Sequence, residues 1–159
     1  MSTFPRIDSV PYVVIDTETT GLKWWEDRLF GISIALPDGP GYYWDVRTDP
    51  KVIDWLCSLI DEERVGVWIG HNLKFDYHFL REAGFTMPPD RIDCTMTRAA
   101  LISEHEPTYA LDFLARKYCG AKKDEEIYEE MAKLFGGRAT RNAQMPNISR
   151  APVQLVSKY

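Results

Sequence analysis

Two acidic side chains, Asp16 and Glu18, follow a short apolar run of strand type at residues 12–15. Because strand side chains alternate between faces, the two carboxylates point the same way, about 6–7 Å apart along the strand. Neighbouring carboxylates after an apolar segment repel each other and lose hydration, and a bound divalent cation would relieve both penalties. Carboxylate oxygens suit Mg²⁺ or Mn²⁺. The alternative is a strand end that frays into water, where acids carry no cost.

A second polar group lies in the segment GHNLKFDYHFL at residues 70–80. Asn72 and Asp76 are four residues apart and therefore share one face of a helix, which continues through the apolar residues Phe79 and Leu80. An acid within an apolar helix face needs a partner, because burial of an unpaired charge is expensive. The alternatives are structural: Asn72 as the helix N-cap, and Asp76 in a salt bridge.

The elements that position these residues follow from apolar periodicity and turn signals. Strands are predicted at 12–15, 29–36 (with Gly31 as a possible bulge), 42–46, 65–69 and 91–94. Helices are predicted after Asp49-Pro50 and over 73–83, 95–102, 109–118, 125–135 and 151–159, with 136–150 as an exposed loop. This order predicts an α/β domain whose sheet begins with an antiparallel meander. Both polar groups then lie at carboxyl ends of strands, where open α/β sheets place their sites.

Length and composition predict one globular domain over residues 1–159, with a net charge of −5 that argues against general polyanion binding. No apolar run approaches the length of a membrane span and no signal peptide is visible, so we expect no membrane partner. Three widely spaced cysteines argue against a disulfide framework or zinc site and favour a reducing compartment, hence a cytoplasmic protein.

The motifs IDTETTGL at 15–22 and GHNLKFDYHFL at 70–80 together resemble the first two motifs of the DEDD (DnaQ-like) 3′–5′ exonucleases. The likeness is greatest to the proofreading domain of family A DNA polymerases, as in the Klenow fragment, and it extends over residues 29–34, 92–96 and 111–115. It implies an RNase H-like fold, a mixed five-stranded sheet with flanking helices. It also implies hydrolysis of phosphodiesters at the 3′ end of single-stranded DNA.

The resemblance implies a catalytic centre with two Mg²⁺ or Mn²⁺ ions. Asp16 would bind both ions, Glu18 would bind one, and Asp76 would hold the second directly or through water. The tyrosine of the family's third motif orients the attacking water in one of the two branches, and Tyr159 falls where that tyrosine belongs. The chain is thereby assigned to the tyrosine branch.

The resemblance also implies substrate contacts around the 3′-terminal nucleotide or a nucleoside monophosphate. Thr19 and Leu22 would line the terminal nucleotide, with Leu22 against its base, and Asn72 would hydrogen-bond near the 3′ end. Tyr128 resembles an aromatic position that contacts substrate in the polymerase family. Its spacing from Phe135 fits plain helix packing as well.

The family's fourth carboxylate is expected four positions after Tyr159, which is the last residue of the sequence. We therefore expect a domain truncated within its last helix, with weak nuclease activity. In the full-length protein, a DNA polymerase domain would be covalently linked to it. The alternative localisation expected is that of a phage-encoded enzyme acting in the host cytoplasm.

Three other functions remain to be weighed. One is a catalytically impaired fragment that binds metal and nucleotide without turnover. Another is an RNA exonuclease of the RNase D type, which shares the motifs. The third is a haloacid-dehalogenase-type phosphatase, because D-x-E-x-T at 16–20 nearly matches that family's D-x-D-x-T. It is disfavoured because the second acid differs and no later paired-aspartate motif follows.

Overall fold

The structure of the protein is a computed structural model that describes residues 4–37, 39–121 and 126–157. Tyr159, the predicted water-orienting residue, lies outside the described residues. The chain divides into two compact units, Met1–Cys94 and Thr95–Tyr159, and each is described by itself.

A single sheet organises the first unit. Its strands are β1 (Val10–Thr19), β2 (Leu29–Ala35), β3 (Gly41–Asp45), β4 (Val65–Gly70) and β5 (Ile92–Cys94), in the spatial order β3-β2-β1-β4-β5. β1, β2 and β3 pair antiparallel, whereas β4 pairs parallel to β1 and β5 parallel to β4. The predicted mixed five-stranded sheet with an antiparallel meander is therefore confirmed.

Two helices, α1 (Lys51–Asp61) and α2 (Leu73–Glu82), contribute apolar residues to the core of this unit. Apolar residues recur along α1 at helical spacing, so Val52 and Leu56 are buried on one side of it. The core also contains Val13, Ile15, Ile32, Ile34, Trp68, Leu73 and Leu80. The residue before α1 is Pro50 rather than the predicted cap Asp49, a shift of one position.

The pairing of β1 with β2 is irregular near its end. Glu18 lies opposite Gly31, but Thr19 lies opposite Leu29, so Phe30 is the extra residue on β2. The bulge predicted at Gly31 thus occurs one residue further back. Its position leaves Gly31, a residue without a side chain, directly beside Glu18.

The second unit is helical in its described part. It contains α3 (Thr95–Ile102), α4 (Leu111–Cys119), α5 (Glu126–Phe135), α6 (Arg141–Gln144) and α7 (Val153–Val156), with a 3₁₀ segment at Met145–Arg150. Among the described residues, no helix is long and apolar enough to cross a membrane.

The prediction of an exposed loop over residues 136–150 is confirmed for 136–140, which are exposed and lie outside any helix, but is wrong for 141–150, which form helical turns. The buried side-chain amide of Gln144 donates hydrogen bonds to the carbonyl oxygens of Gly136 and Arg138, at 2.9 and 3.0 Å. Ile148 is also buried. These helical turns are too short to show apolar periodicity in the sequence. The side-chain amide of Gln144, rather than a backbone N–H, satisfies the two carbonyl oxygens.

Candidate active site

The two acids of the first motif lie within β1, which extends four residues beyond the predicted strand end. Asp16 lies opposite Ser33 and Glu18 opposite Gly31, so both carboxylates are on the same face of the sheet. Asp16 is exposed, but Glu18 is only 9% exposed. Because Glu18 is paired and buried, the alternative of a strand end fraying into water does not hold for it.

Asp76, the acid of the second motif, is 3% exposed on α2. Its Oδ1 accepts hydrogen bonds from the backbone N–H of Thr17 (3.0 Å) and from the Thr17 hydroxyl (2.6 Å). Burial raises the pKa of Asp76 to about 7, opposed by the Thr17 hydrogen bonds and assisted by the charge of Asp16. Within the described ranges no ion pair is found for Asp76, so the salt-bridge alternative has no support there.

Asn72 precedes α2 in a left-handed backbone conformation, with φ 56° and ψ 38°. An N-cap residue usually adopts extended geometry, and in this conformation the Asn72 side chain makes no capping hydrogen bond. Asn72 therefore occupies the N-cap position, but the capping hydrogen bond that the structural alternative requires is absent. Asparagine tolerates the left-handed region better than most residues, and here it leaves the side chain exposed.

The turn after β1 presents Leu22 to solvent, with 83% of the residue exposed. The Thr19 hydroxyl donates to the carbonyl of Gly21 at 2.6 Å, and the backbone N–H of Lys23 donates to Asp27 Oδ2 at 2.9 Å. Asp27 folds under the turn so closely that a Cβ on Gly21 would lie 2.4 Å from its carboxylate. Glycine at this position therefore leaves room for the Asp27 carboxylate, and the hydrogen bonds of the turn hold Leu22 outward.

The two tryptophans after the first motif have different environments. Trp24 stacks on His78 with ring centroids 4.9 Å apart, and the Arg81 guanidinium lies over the Trp24 ring, 5.8 Å from its centroid. Trp25 meets Trp24 edge-on and is 60% exposed, with its indole N–H donating to Glu26 at 3.2 Å. Trp24 is thus a packing residue, whereas Trp25 presents an aromatic face to solvent.

Further polar residues join this face of the sheet from β3, and the sequence reasoning missed them. Gly31 lies opposite both Glu18 and Asp45, and Ser33 lies opposite both Asp16 and Tyr43. Tyr43 and Asp45 on β3 are therefore on the same face of the sheet as Asp16 and Glu18. Alternation along residues 41–45 could have placed these two side chains together, but not opposite the acids, because the strand register was unknown.

Asp45 is buried and held by Arg47. The Asp45 carboxylate accepts hydrogen bonds from the Arg47 backbone N–H (2.9 Å), from Nε (2.9 and 3.2 Å) and from Nη2. The Arg47 guanidinium thereby lowers the pKa of Asp45 below its usual range. It also lies over the Phe30 ring, 4.9 Å from the centroid.

Tyr128 belongs to the second unit, on α5, where it is buried. Its burial favours the packing interpretation over a direct substrate contact. The substrate role implied by the resemblance stays a prediction.

The predicted metal ligands are chemically suited to a hard cation, since all three donors are carboxylates: Asp16, Glu18 and Asp76. A cation would also offset the burial of Glu18 and Asp76 and the repulsion between Asp16 and Asp76. Across the described parts of the chain, however, no group of three or more His, Cys, Asp or Glu residues is arranged to hold a metal ion. The residue types fit Mg²⁺ or Mn²⁺, and the roles of the three acids stay a prediction.

Residues 2–145 match the family model described as 3′-5′ exonuclease, and the chain belongs to this family, the exonuclease domain of family A DNA polymerases. The resemblance drawn from the two motifs is confirmed. The chain is 48% identical over 160 residues to DNA polymerase DpoZ of Salmonella phage PMBT28, covering 100% of this chain and 25% of that protein. It is 38% identical over 126 residues to DNA polymerase I of Borreliella burgdorferi, covering 75% of this chain and 14% of that protein.

The fold is shared with solved nuclease structures. Brucella melitensis NrnC with bound Mg²⁺ superposes with a TM-score of 0.62 at 24% identity, covering 74% of this chain and 58% of that one. This likeness confirms the RNase H-like α/β fold. The chain thus spans a quarter of the phage polymerase it matches and carries the exonuclease fold.

Proposed function

We propose that residues 1–159 form a proofreading-type domain that hydrolyses phosphodiesters at the 3′ end of single-stranded DNA, linked to a DNA polymerase domain. The observation that carries the proposal is the match of this whole chain to 25% of a phage DNA polymerase. Family membership supplies the reaction class, hydrolysis by a nuclease. A phage enzyme of this kind would act in the host cytoplasm.

Two divalent ions, Mg²⁺ or Mn²⁺, would supply an activated water and neutralise charge at the leaving oxygen when bound. Asp16, Glu18 and Asp76 are the residues proposed to hold them. The chain's own part is to orient these acids, and the two hydrogen bonds from Thr17 fix one oxygen of Asp76. A domain with a net charge of −5 can hold a phosphate in this way.

The proposed contacts with the terminal nucleotide come from the exposed residues next to these acids. Leu22 is held outward by its turn and would pack against the last base. Asn72 has an exposed amide that caps no helix and would hydrogen-bond near the 3′ end. Thr19 would line the nucleotide through its backbone, since its hydroxyl is bonded to Gly21. Tyr128 and Tyr159 keep only the roles implied by the family.

The experiment that tests the proposal compares 5′-labelled single strands of DNA and RNA, with Mn²⁺ or with a chelator. We expect stepwise shortening from the 3′ end of DNA, abolished by chelation and by a blocked 3′ end. Faster hydrolysis of RNA than of DNA would favour the RNase D-like alternative. Metal and nucleotide binding without shortening would favour the impaired fragment.

For a polypeptide of these 159 residues we propose slow turnover, because residues 131–159 contain no Asp or Glu to act as the family's fourth carboxylate. Loss of a group that supports a metal commonly costs about 10–100-fold, and loss of a direct ligand should cost more. A version extended through a following helix that supplies an acid should hydrolyse DNA faster in single-turnover assays. Equal rates would contradict this proposal.

Trp25 is expected to extend the substrate contact by stacking on a base upstream of the terminal one. Base–aromatic stacking contributes about 1–3 kcal/mol, so Trp25→Ala should weaken binding of a six-nucleotide strand about tenfold. Binding of a mononucleotide should not change. For the wild type, quenching of tryptophan fluorescence by oligonucleotides of one to six nucleotides measures both affinities.

The matched control for this experiment is Trp25→Phe, which keeps an aromatic face and should retain most of the affinity. A fluorescent label on the oligonucleotide allows variants without Trp25 to be compared by anisotropy. Equal affinity of the Ala and Phe variants for the long strand would rule out stacking at this position.

A further inference from the structure

The hydroxyl of Tyr43 on β3 is buried and has no hydrogen-bond partner among the residues that the structure describes. A buried hydroxyl without a partner costs about 1–3 kcal/mol, and such groups are few in native proteins. Phenylalanine would fill nearly the same space without that cost. The hydroxyl therefore indicates a functional role, because its contacts with the described residues give it no structural one.

The position of this hydroxyl is set by Gly31. A Cβ on Gly31 would lie 2.4 Å from the Tyr43 hydroxyl, so the tyrosine reaches across β2 into the space where a side chain would otherwise project. Gly31 is the residue directly opposite Glu18 on β1. Side chains opposite each other in an antiparallel pair have Cβ atoms about 4.5–5.5 Å apart. The hydroxyl is therefore a direct neighbour of the Glu18 side chain.

Two buried carboxylates, Asp45 and Glu18, lie near this hydroxyl. Asp45 already receives four hydrogen-bond contacts from Arg47, which use the acceptor sites of both its oxygens. Glu18 is the other carboxylate whose charge acts on Tyr43. A neutral tyrosine hydroxyl carries one proton that it can donate to a carboxylate oxygen.

We propose that Tyr43 is a positioning residue that donates a hydrogen bond to the Glu18 carboxylate and holds it in the orientation that binds a divalent cation. The inference rests on the proposed function, because it takes Glu18 as a metal ligand. Gly31 serves the same purpose by leaving room for the tyrosine. A hydrogen bond to one carboxylate oxygen directs the other oxygen and limits the rotamers of the glutamate.

The test is Tyr43→Phe, with Mn²⁺ affinity measured by isothermal titration calorimetry on the whole chain without nucleic acid. We expect Mn²⁺ to bind about tenfold more weakly, within the range found for groups that orient metal ligands. The thermal midpoint of the metal-free variant should equal or exceed that of the wild type, because a buried unpaired hydroxyl is removed. The matched control is Tyr42→Phe, one residue along β3 on the opposite face, stacked on Trp44; its Mn²⁺ affinity should be unchanged.

A double-mutant cycle with Glu18→Gln separates positioning from a general packing effect. If Tyr43 acts through Glu18, adding Tyr43→Phe to Glu18→Gln should change Mn²⁺ affinity less than twofold. Equal tenfold losses in both backgrounds, or a lowered metal-free midpoint with unchanged Mn²⁺ affinity, would overturn the inference. If the wild type hydrolyses DNA and Tyr43→Phe binds Mn²⁺ equally well, only the role of Tyr43 fails. If the wild type neither binds Mn²⁺ nor hydrolyses DNA, the proposed function fails with it.

Discussion

Asp16→Asn is expected to slow the hydrolysis of single-stranded DNA about 10³-fold, which corresponds to about 4 kcal/mol of transition-state stabilisation. Asparagine keeps the size of the side chain and one acceptor oxygen but removes the charge that a cation requires. Asp16 is exposed and its charge repels that of Asp76, so the substitution should not lower the free energy of unfolding by more than about 0.5 kcal/mol. Single-turnover rates at saturating Mn²⁺, together with urea denaturation, measure the two effects separately.

A matched control for Asp16→Asn is Asp54→Asn, which removes an exposed acid from the first turn of α1. This variant should hydrolyse DNA at the wild-type rate. If Asp16→Asn kept a rate within threefold of the wild type, Asp16 would not hold the catalytic cation. The assignment of the first motif would then be wrong.

Asp76→Asn is expected to stabilise the metal-free protein at pH 8. The pKa of Asp76 is raised from an ordinary 3.8 to about 7, mainly by burial. Below pH 4 the acid is protonated in both the folded and the unfolded chain and contributes no difference. As the pH rises from about 4 to 7 the unfolded chain releases this proton first, so the stability of the folded state falls. A shift of about three pKa units corresponds to about 4 kcal/mol, which asparagine avoids because it carries no charge.

Urea denaturation from pH 4 to pH 8, with a chelator present, measures this effect. The wild type and Asp76→Asn should have similar stability near pH 4 and diverge towards pH 8. Asp76→Ala is the informative comparison, because it removes the acceptor of two Thr17 donors and should be less stable than the wild type at pH 4. Parallel pH profiles for the wild type and Asp76→Asn would show that burial does not raise the pKa of Asp76.

The sequence alone determined the family and the fold class of this protein. Two short motifs, one after an apolar strand and one at the start of an amphipathic helix, were specific enough together to indicate a 3′–5′ exonuclease, and the family match confirms it. Strand alternation placed Asp16 and Glu18 on one face, and the observed register agrees. The family followed from the resemblance of these motifs, and the shared face of the two acids could be predicted because it depends on the local periodicity of a strand.

Only the tertiary structure decided which side chains meet. Thr17 contacts Asp76, which is 59 residues further along the chain, and Tyr43 lies across β2 from the strand that carries Glu18. Neither arrangement follows from a local sequence pattern. Both depend on strand register and helix placement, and a register shift of one residue would move each side chain to the other face. The burial of Gln144 was missed for a related reason, since one side-chain amide satisfies backbone carbonyls that periodicity does not describe. Long-range pairing sets these contacts, and a single sequence carries no local signal for it.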